Sequence, residues 1–193
     1  MTCFIVGLGS TAEGWFNHPH DISIGVNDAI KWGKDTDYLL LIDSLQGFKK
    51  EPERVKLIGK SKAQVIAAND TWKSIHRNYK RINLSPFSKF LKKGRYYSSK
   101  SSPFVALSVA FNIGAKNIVM FGCDYKTHHL FQPGKRIQEF ELRNIEKFCR
   151  MLSEQGVNVF VSSKESELSK FLNVLHPTGA VIEYMNPVKV TAE

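Results

Sequence analysis

A chain of 193 residues with 42% apolar content is large enough to bury one core without disulfides or structural metal, and too short for two ordinary domains. Its formal charge of +9 is unevenly placed: residues 49–100 hold 15 Lys or Arg against 3 acids, a net of +12, and the rest of the chain sums to −3. Cys3, Cys123 and Cys149, odd in number and set in apolar segments, read as reduced core thiols, which excludes a disulfide frame or a zinc site.

The N-terminus opens on a strand-like run instead of a signal-like one, and no apolar stretch approaches the ~18 residues of a membrane span. The expectation is a cytoplasmic protein with no transmembrane segment. Short apolar, β-branched runs at 3–6, 22–26, 38–42, 63–67, 117–121 and 157–161 lack polar alternation, as do strands buried on both faces. They predict an α/β fold, a mostly parallel sheet with helices on both faces in the Rossmann-like manner. Residues 1–175 would form a single nucleotide-binding domain, with 48–101 as a basic insertion or lid and 176–193 as an extension or arm, residues 180–185 reading as an added edge strand or docking arm.

Helices are clearest in the second half. Ser102-Pro103 supplies a cap and a first-turn proline, 104–113 is apolar nearly all round, and Gly114 ends it. A longer helix over 138–155 sets Leu142, Ile145, Phe148, Cys149 and Leu152 on one face with charges opposite, and stops at Gly156. Ser162-Ser163-Lys164-Glu165 has capping-box spacing before a short helix ending near Asn173.

In a parallel sheet, ligands bind where strand C-termini and helix N-termini share an edge, so the loop after each strand carries the chemistry. After the first run come Gly7, Gly9 and Ser10, with Glu13 three residues on. Glycines let backbone approach a phosphate, and free amides at a helix start favour an anion. The full G-x-G-x-x-G fingerprint is missing, because position 12 is alanine. After the second comes Asn27-Asp28, suited to a base edge or sugar hydroxyls, or to a helix cap. After the third comes Asp43-Ser44, whose acid could bind a ribose, a metal or an acceptor hydroxyl. Ser98, Ser99, Ser101 and Ser102 precede the apolar helix. The richest loop is Gly122-Cys123-Asp124-Tyr125-Lys126-Thr127-His128-His129, where a neutral imidazole, with Asp124, could take a proton from an attacking hydroxyl or help hold a divalent metal.

This order of motifs (strand then Gly-x-Gly-Ser, strand then Asn, strand then Asp, Ser-Ser-Pro before an apolar helix, strand then Gly-x-Asp-Tyr) resembles the sialyltransferase-like group. That group comprises family 42 bacterial sialyltransferases, motility accessory factors and archaeal hydroxymethyldihydropterin diphosphokinases. The resemblance implies a cytidine-nucleotide pocket lined by Gly9, Ser10, Asn27, Ser101, Ser102, Gly122 and Tyr125, with Tyr125 toward the phosphate. It departs at one point: the histidine that serves the family as catalytic base near the start of the penultimate helix has no counterpart in 133–140, so either His128 or His129 replaces it or the reaction is not sialyl transfer. In the diphosphokinase relatives the pocket takes a nucleoside triphosphate with magnesium, for which Asp43 and Asp124 would be the ligands.

The leading expectation is a nucleotide-sugar-dependent glycosyltransferase acting on an anionic acceptor, glycan or nucleic acid, drawn in by the basic segment. The alternatives are a magnesium-dependent diphosphokinase acting on a hydroxymethyl compound and a non-catalytic nucleotide- or nucleic-acid-binding protein. The small size also invites a homo-oligomer, although no segment marks an interface.

Overall fold

The structure, a computed structural model, describes residues 1–88, 90–126 and 135–175. The apolar runs become strands because each can bury both faces while a parallel neighbour satisfies its backbone. With four short strands that no apolar run marks, the strands are β1 (Thr2–Val6), β2 (Ile22–Val26), β3 (Tyr38–Leu41), β4 (Gln64–Ala67), β5 (Tyr79–Arg81), β6 (Leu84–Pro86), β7 (Tyr96–Ser98), β8 (Asn117–Phe121), β9 (Asn158–Val161) and β10 (Asn173–Val174). Eight of them form one all-parallel sheet in the order β10-β9-β8-β1-β2-β3-β4-β5, and β6 and β7 form a small parallel pair. Register is set at the centre, where Cys3 pairs with both Ile22 and Ile118 and Val6 with both Gly25 and Phe121. The chain leaves β1 toward β2 on one side and leaves β8 toward β9 on the other. The topological switch point therefore lies between β1 and β8.

Three α-helices complete the layers: α1 (Pro52–Lys60), α2 (Ser102–Asn112) and α3 (Arg136–Glu154). Strand alternation divides the core. Cys3, Ile5, Ile24, Leu40, Ile118 and Met120 point to α2 and α3, whereas Phe4, Val6, Leu39, Leu41, Val119 and Phe121 point to the other face, which α1 shares with several 3-10 turns. The apolar α2 is buried over residues 104–111, as its composition requires, and Gly114, at φ +91°, ends it. Phe148 of α3 packs on Phe104 at 4.9 Å and Phe87 at 5.4 Å between ring centroids, which ties the β6–β7 pair to the core.

Several expectations change. Between β1 and β2 there is no α-helix, only 3-10 turns at Ser10–Ala12 and Trp15–Asn17; Gly14, at φ +72°, breaks the run and Pro19 follows. The basic segment is partly integral to the sheet, since it supplies α1, β4 and β5, with β6 and β7 beside them. The helix after β9 is a single 3-10 turn, Glu167–Lys170, capped by Ser166 instead of a Ser162–Glu165 box, and β10 follows it. The expectations for 176–193, including the edge strand or arm, lie outside the described residues. Among the described residues no helix is long and apolar enough to cross a membrane.

Candidate functional site

Because α2 leads into β8 and packs against β1, β2 and β3, it runs antiparallel to them, and its N-terminus lies at the C-terminal edge of the sheet. Ser101 and Ser102 thus meet the loops after β1, β2 and β8. Ser101 caps α2 by accepting from the Phe104 amide at 3.4 Å, and Ser102 is its first residue. The sequence placed the cap one residue later.

The glycine loop is joined to the loop after β8. Gly7 N donates to Phe121 O at 2.7 Å and Gly9 N to Gly122 O at 2.9 Å, so these two amides are occupied by the protein itself. Thr11 Oγ1 donates to Asp124 Oδ1 and accepts from Gly122 N at 3.1 Å. The Asp124 carboxylate lies flush against Gly9, where any Cβ would collide with it. Gly122, at φ +62°, would place a Cβ 2.6 Å from Ala12 Cβ and 2.8 Å from Gly9 O. Glycine at 7, 9 and 122 is therefore required for two loops to touch across the switch point. On this edge Ser10 is exposed.

Among the described residues, two non-glycine residues have positive φ, and both are at strand ends on this edge: Asn27 after β2 and Tyr125 after β8, each at φ 55°. Left-handed backbone is tolerated by asparagine and unusual for a bulky aromatic, so strain is concentrated here. Asn27 N donates to Leu40 O at 3.0 Å, but its side-chain Oδ1 is buried with no hydrogen-bond partner. An amide oxygen taken out of water unpaired costs about 1–3 kcal/mol. Its neighbour Asp28, 5% exposed, caps nothing; it receives Arg54 Nε and Nη2 of α1 at 2.9 and 2.8 Å and serves the fold.

Tyr125, 7% exposed, is held from both ends. Gln138 Nε2 donates to its carbonyl at 2.6 Å, and its hydroxyl meets Ser101 Oγ at 2.8 Å. Ser101 in turn bonds Glu141 Oε1, while Glu141 Oε2 accepts from Ser99 Oγ at 2.5 Å and Lys100 N at 2.9 Å. Asn144 Nδ2 donates to Ser99 Oγ at 2.8 Å. Burial, with the Glu141 charge beside it, pushes the Tyr125 phenol well above its usual range, so it keeps its proton. Glu141 is completely buried and was missed from sequence, where it was read onto the charged face of α3. Its place four residues before Ile145 and three after Gln138 was the available signal.

Asp43 is exposed at the end of β3, with its carbonyl accepting from Trp72 Nε1 at 2.8 Å. β3 and β8 are separated by β1 and β2 in the sheet, so Asp43 and Asp124 follow strands that are not neighbours. Asp124 accepts from Thr11, and no cluster of three or more metal-binding side chains occurs among the described residues. His128 and His129, the expected bases, lie outside the described residues, and Lys135–Phe140, described, contains no histidine.

An eight-stranded parallel sheet with helices on both faces defines a sialyltransferase-like α/β fold. Among solved structures, the fold is similar to that of the sialyltransferase CstII from Campylobacter jejuni in complex with the substrate analogue CMP-3FNeuAc, with a TM-score of 0.57, 12% identity, and coverage of 99% of this chain and 94% of that one. A sialyltransferase CST-II structure with trisaccharide acceptor and CMP gives a TM-score of 0.57 at 11% identity, covering 99% and 93%. No family model matches the sequence, and no curated protein does. At this identity the likeness is one of fold.

Proposed function

We propose that this protein is a glycosyltransferase that takes its sugar from a cytidine nucleotide donor and transfers it to an anionic acceptor. The observation that carries the reading is the coincidence of strain and an unpaired buried oxygen at one edge: Asn27 and Tyr125 in left-handed backbone, with Asn27 Oδ1 orphaned. Strain of about 1–3 kcal/mol per residue persists where a site requires it. An amide oxygen waiting for a donor suits the exocyclic amine of a cytosine or a sugar hydroxyl. The likeness of fold to structures holding CMP and a CMP-sugar analogue supports the same choice.

In this reading Gly9, Ser10 and Gly122 form the wall behind the nucleotide, and Ser101 and Ser102 bring the positive end of α2 to the phosphate. The acceptor hydroxyl attacks the anomeric carbon, the bond from that carbon to the phosphate oxygen breaks, and CMP leaves. His128 or His129 takes the hydroxyl proton. Stabilising the departing phosphate by α2 amides, serine hydroxyls and Tyr125 supplies the electrostatic part of catalysis. Lys49, Lys50 and Lys73, exposed beyond the ends of β3 and β4, line the approach for an acidic acceptor. Asp124 acts by holding the two loops together.

The test is CMP release from a CMP-sugar, with a sialylated or otherwise acidic oligosaccharide as acceptor and its neutral counterpart as control. Faster release with the acidic acceptor is expected, and a His128→Ala/His129→Ala double variant should lose it. Undiminished turnover in that variant removes both histidines from the mechanism. A second reading, nucleotide binding without turnover, is favoured by the missing histidine in 133–140, and the result that selects it is CMP binding with no release.

A further inference from the structure

We propose that the turn between β6 and β7 is a docking surface for an anionic lipid bilayer, in which Phe90 enters the headgroup layer and Lys92, Lys93 and Arg95 meet the headgroup charge. This surface is independent of the nucleotide reading above, because the turn is clipped to the C-terminal end of α2 and Ser101 and Ser102 stand at the other end.

The charge is written in the sequence. Between Asp70 and Asp124 there is no acidic residue, while that stretch holds ten Lys or Arg, four of them within residues 88–95. Soluble surfaces ordinarily intersperse the two signs. A run of one sign draws a polyanion, with a strength that falls as salt rises.

An exposed apolar side chain is ordinary by itself, but around Phe90 the backbone is built to expose it. Its carbonyl accepts from Ser88 Oγ and from the Tyr97 hydroxyl, each at 3.0 Å, and that hydroxyl also accepts from Lys92 N at 3.0 Å. Tyr97 is completely buried, with its amide donating to Ser108 Oγ of α2 at 2.8 Å. Further along, Gly94 N donates to Asn112 Oδ1 and Asn112 Nδ2 to Arg95 O, both at 2.6 Å, and Lys93 Nζ reaches Phe111 O. Phe87 packs on Phe104 and Phe148, and Leu91 lies against the same core. Phe90 alone is left outside, 80% exposed, against 43% and 45% for Met1 and Phe140, the other exposed large apolar side chains among the described residues. The turn is held before a partner arrives, so docking costs little ordering.

The choice of a bilayer follows from which rings face outward. A single-stranded nucleic acid needs a row of rings on which successive bases stack. Here Phe87 and Tyr97 are turned into the core and Tyr96 is half-buried against it, which leaves one ring for one base. A bilayer needs no groove and no row. It takes a projecting apolar tip flanked by cations, and stable attachment comes from the two together. Burying the ring strengthens attachment about ten- to a hundredfold, and each cation at an anionic surface adds about fivefold.

The test is flotation of the full-length protein with vesicles of phosphatidylcholine alone, and with vesicles of equal parts phosphatidylcholine and phosphatidylglycerol. Binding to the anionic vesicles only, weakened by salt, is the expected result. Phe90→Ser, a change at an exposed side chain, should weaken it about ten- to a hundredfold, and Lys92→Gln/Arg95→Gln about twentyfold. In Phe90→Trp, lipids brominated near the headgroup end of their acyl chains should quench emission beyond any quenching of the three native tryptophans. Absence of binding to the anionic vesicles overturns the proposal, as does full-strength binding by Phe90→Ser or an unquenched Phe90→Trp. Binding of single-stranded RNA in place of vesicles, weakened by Phe90→Ser, gives the surface to nucleic acid and overturns it as well.

Discussion

Replacing Gly122 by alanine probes the junction between the loops after β1 and β8, and the structure sets the size of the effect. The φ of +62° puts a side chain in left-handed backbone, about 1–2 kcal/mol for an ordinary residue. The added Cβ would stand 2.6 Å from Ala12 Cβ and 2.8 Å from Gly9 O, the latter a backbone atom already holding the 3-10 turn at Ala12 N. Overpacking of this kind costs about 1–3 kcal/mol. The sum is about 2–5 kcal/mol, and its middle lowers Tm by roughly 7–14 °C for a chain this long. Gly33 provides the control: its φ is +91° but nothing lies within 4 Å of a built Cβ, so Gly33→Ala should lose only the backbone share. Urea denaturation of both variants, with thermal scans alongside, separates the two contributions. If Gly122→Ala loses no more stability than Gly33→Ala, the tight contact between the loops after β1 and β8 is wrong.

Asn27→Gly should raise stability by about 1 kcal/mol, because glycine relieves the left-handed backbone and removes the orphaned oxygen; it should also weaken CMP binding at least tenfold by calorimetry. A destabilised Asn27→Gly with unaltered CMP affinity would contradict the strain assigned to that site. Thiol chemistry gives an independent check, since burial pushes Cys3 up to about 12 and moves Cys123 and Cys149 further in the same direction. All three should resist a thiol reagent at pH 8 in the folded protein and react in urea. His76 is buried with Nε2 unpaired; burial lowers its pKa from the ordinary 6.5, with Asp35 opposing. Its neutral form is favoured in the folded state, so this stabilisation is complete above pH 6.5 and is lost as pH falls below it. His76→Gln should flatten the fall in urea midpoint between pH 7.5 and 5.5, and His18, lowered the same way, should leave a remainder.

The sheet was legible because its strands are buried on both faces and write continuous apolar runs: 22–26 and 117–121 were read to the residue, and the others within one. α2 and α3 were legible from Pro103, Gly114, Gly156 and the apolar stripe of α3. What escaped was short or polar. β5 (Tyr79–Arg81) is an edge strand with exposed Lys80 and Arg81, which no apolar run announces. The first connection looked like a capped helix, but Gly14 and Pro19 divide it into single turns. At the candidate site, Asn27, Gly122 and Tyr125 were singled out by their positions after strands and Ser101 by its place before the apolar helix. Their strain was invisible, because φ is not written in residue type. Glu141 was hidden for the opposite reason, since a glutamate in a helix reads as solvent-facing until the serines that receive it are folded against it.

The central claim, a cytidine-nucleotide pocket at this edge, is tested most directly by calorimetric titration of CMP into the full-length protein without magnesium. Saturable binding of CMP is predicted, tighter than that of AMP or GMP, unaffected by added magnesium and weakened in Asn27→Ala. No binding of any nucleoside monophosphate, with single-stranded RNA binding instead through the basic residues of 49–100, would contradict it.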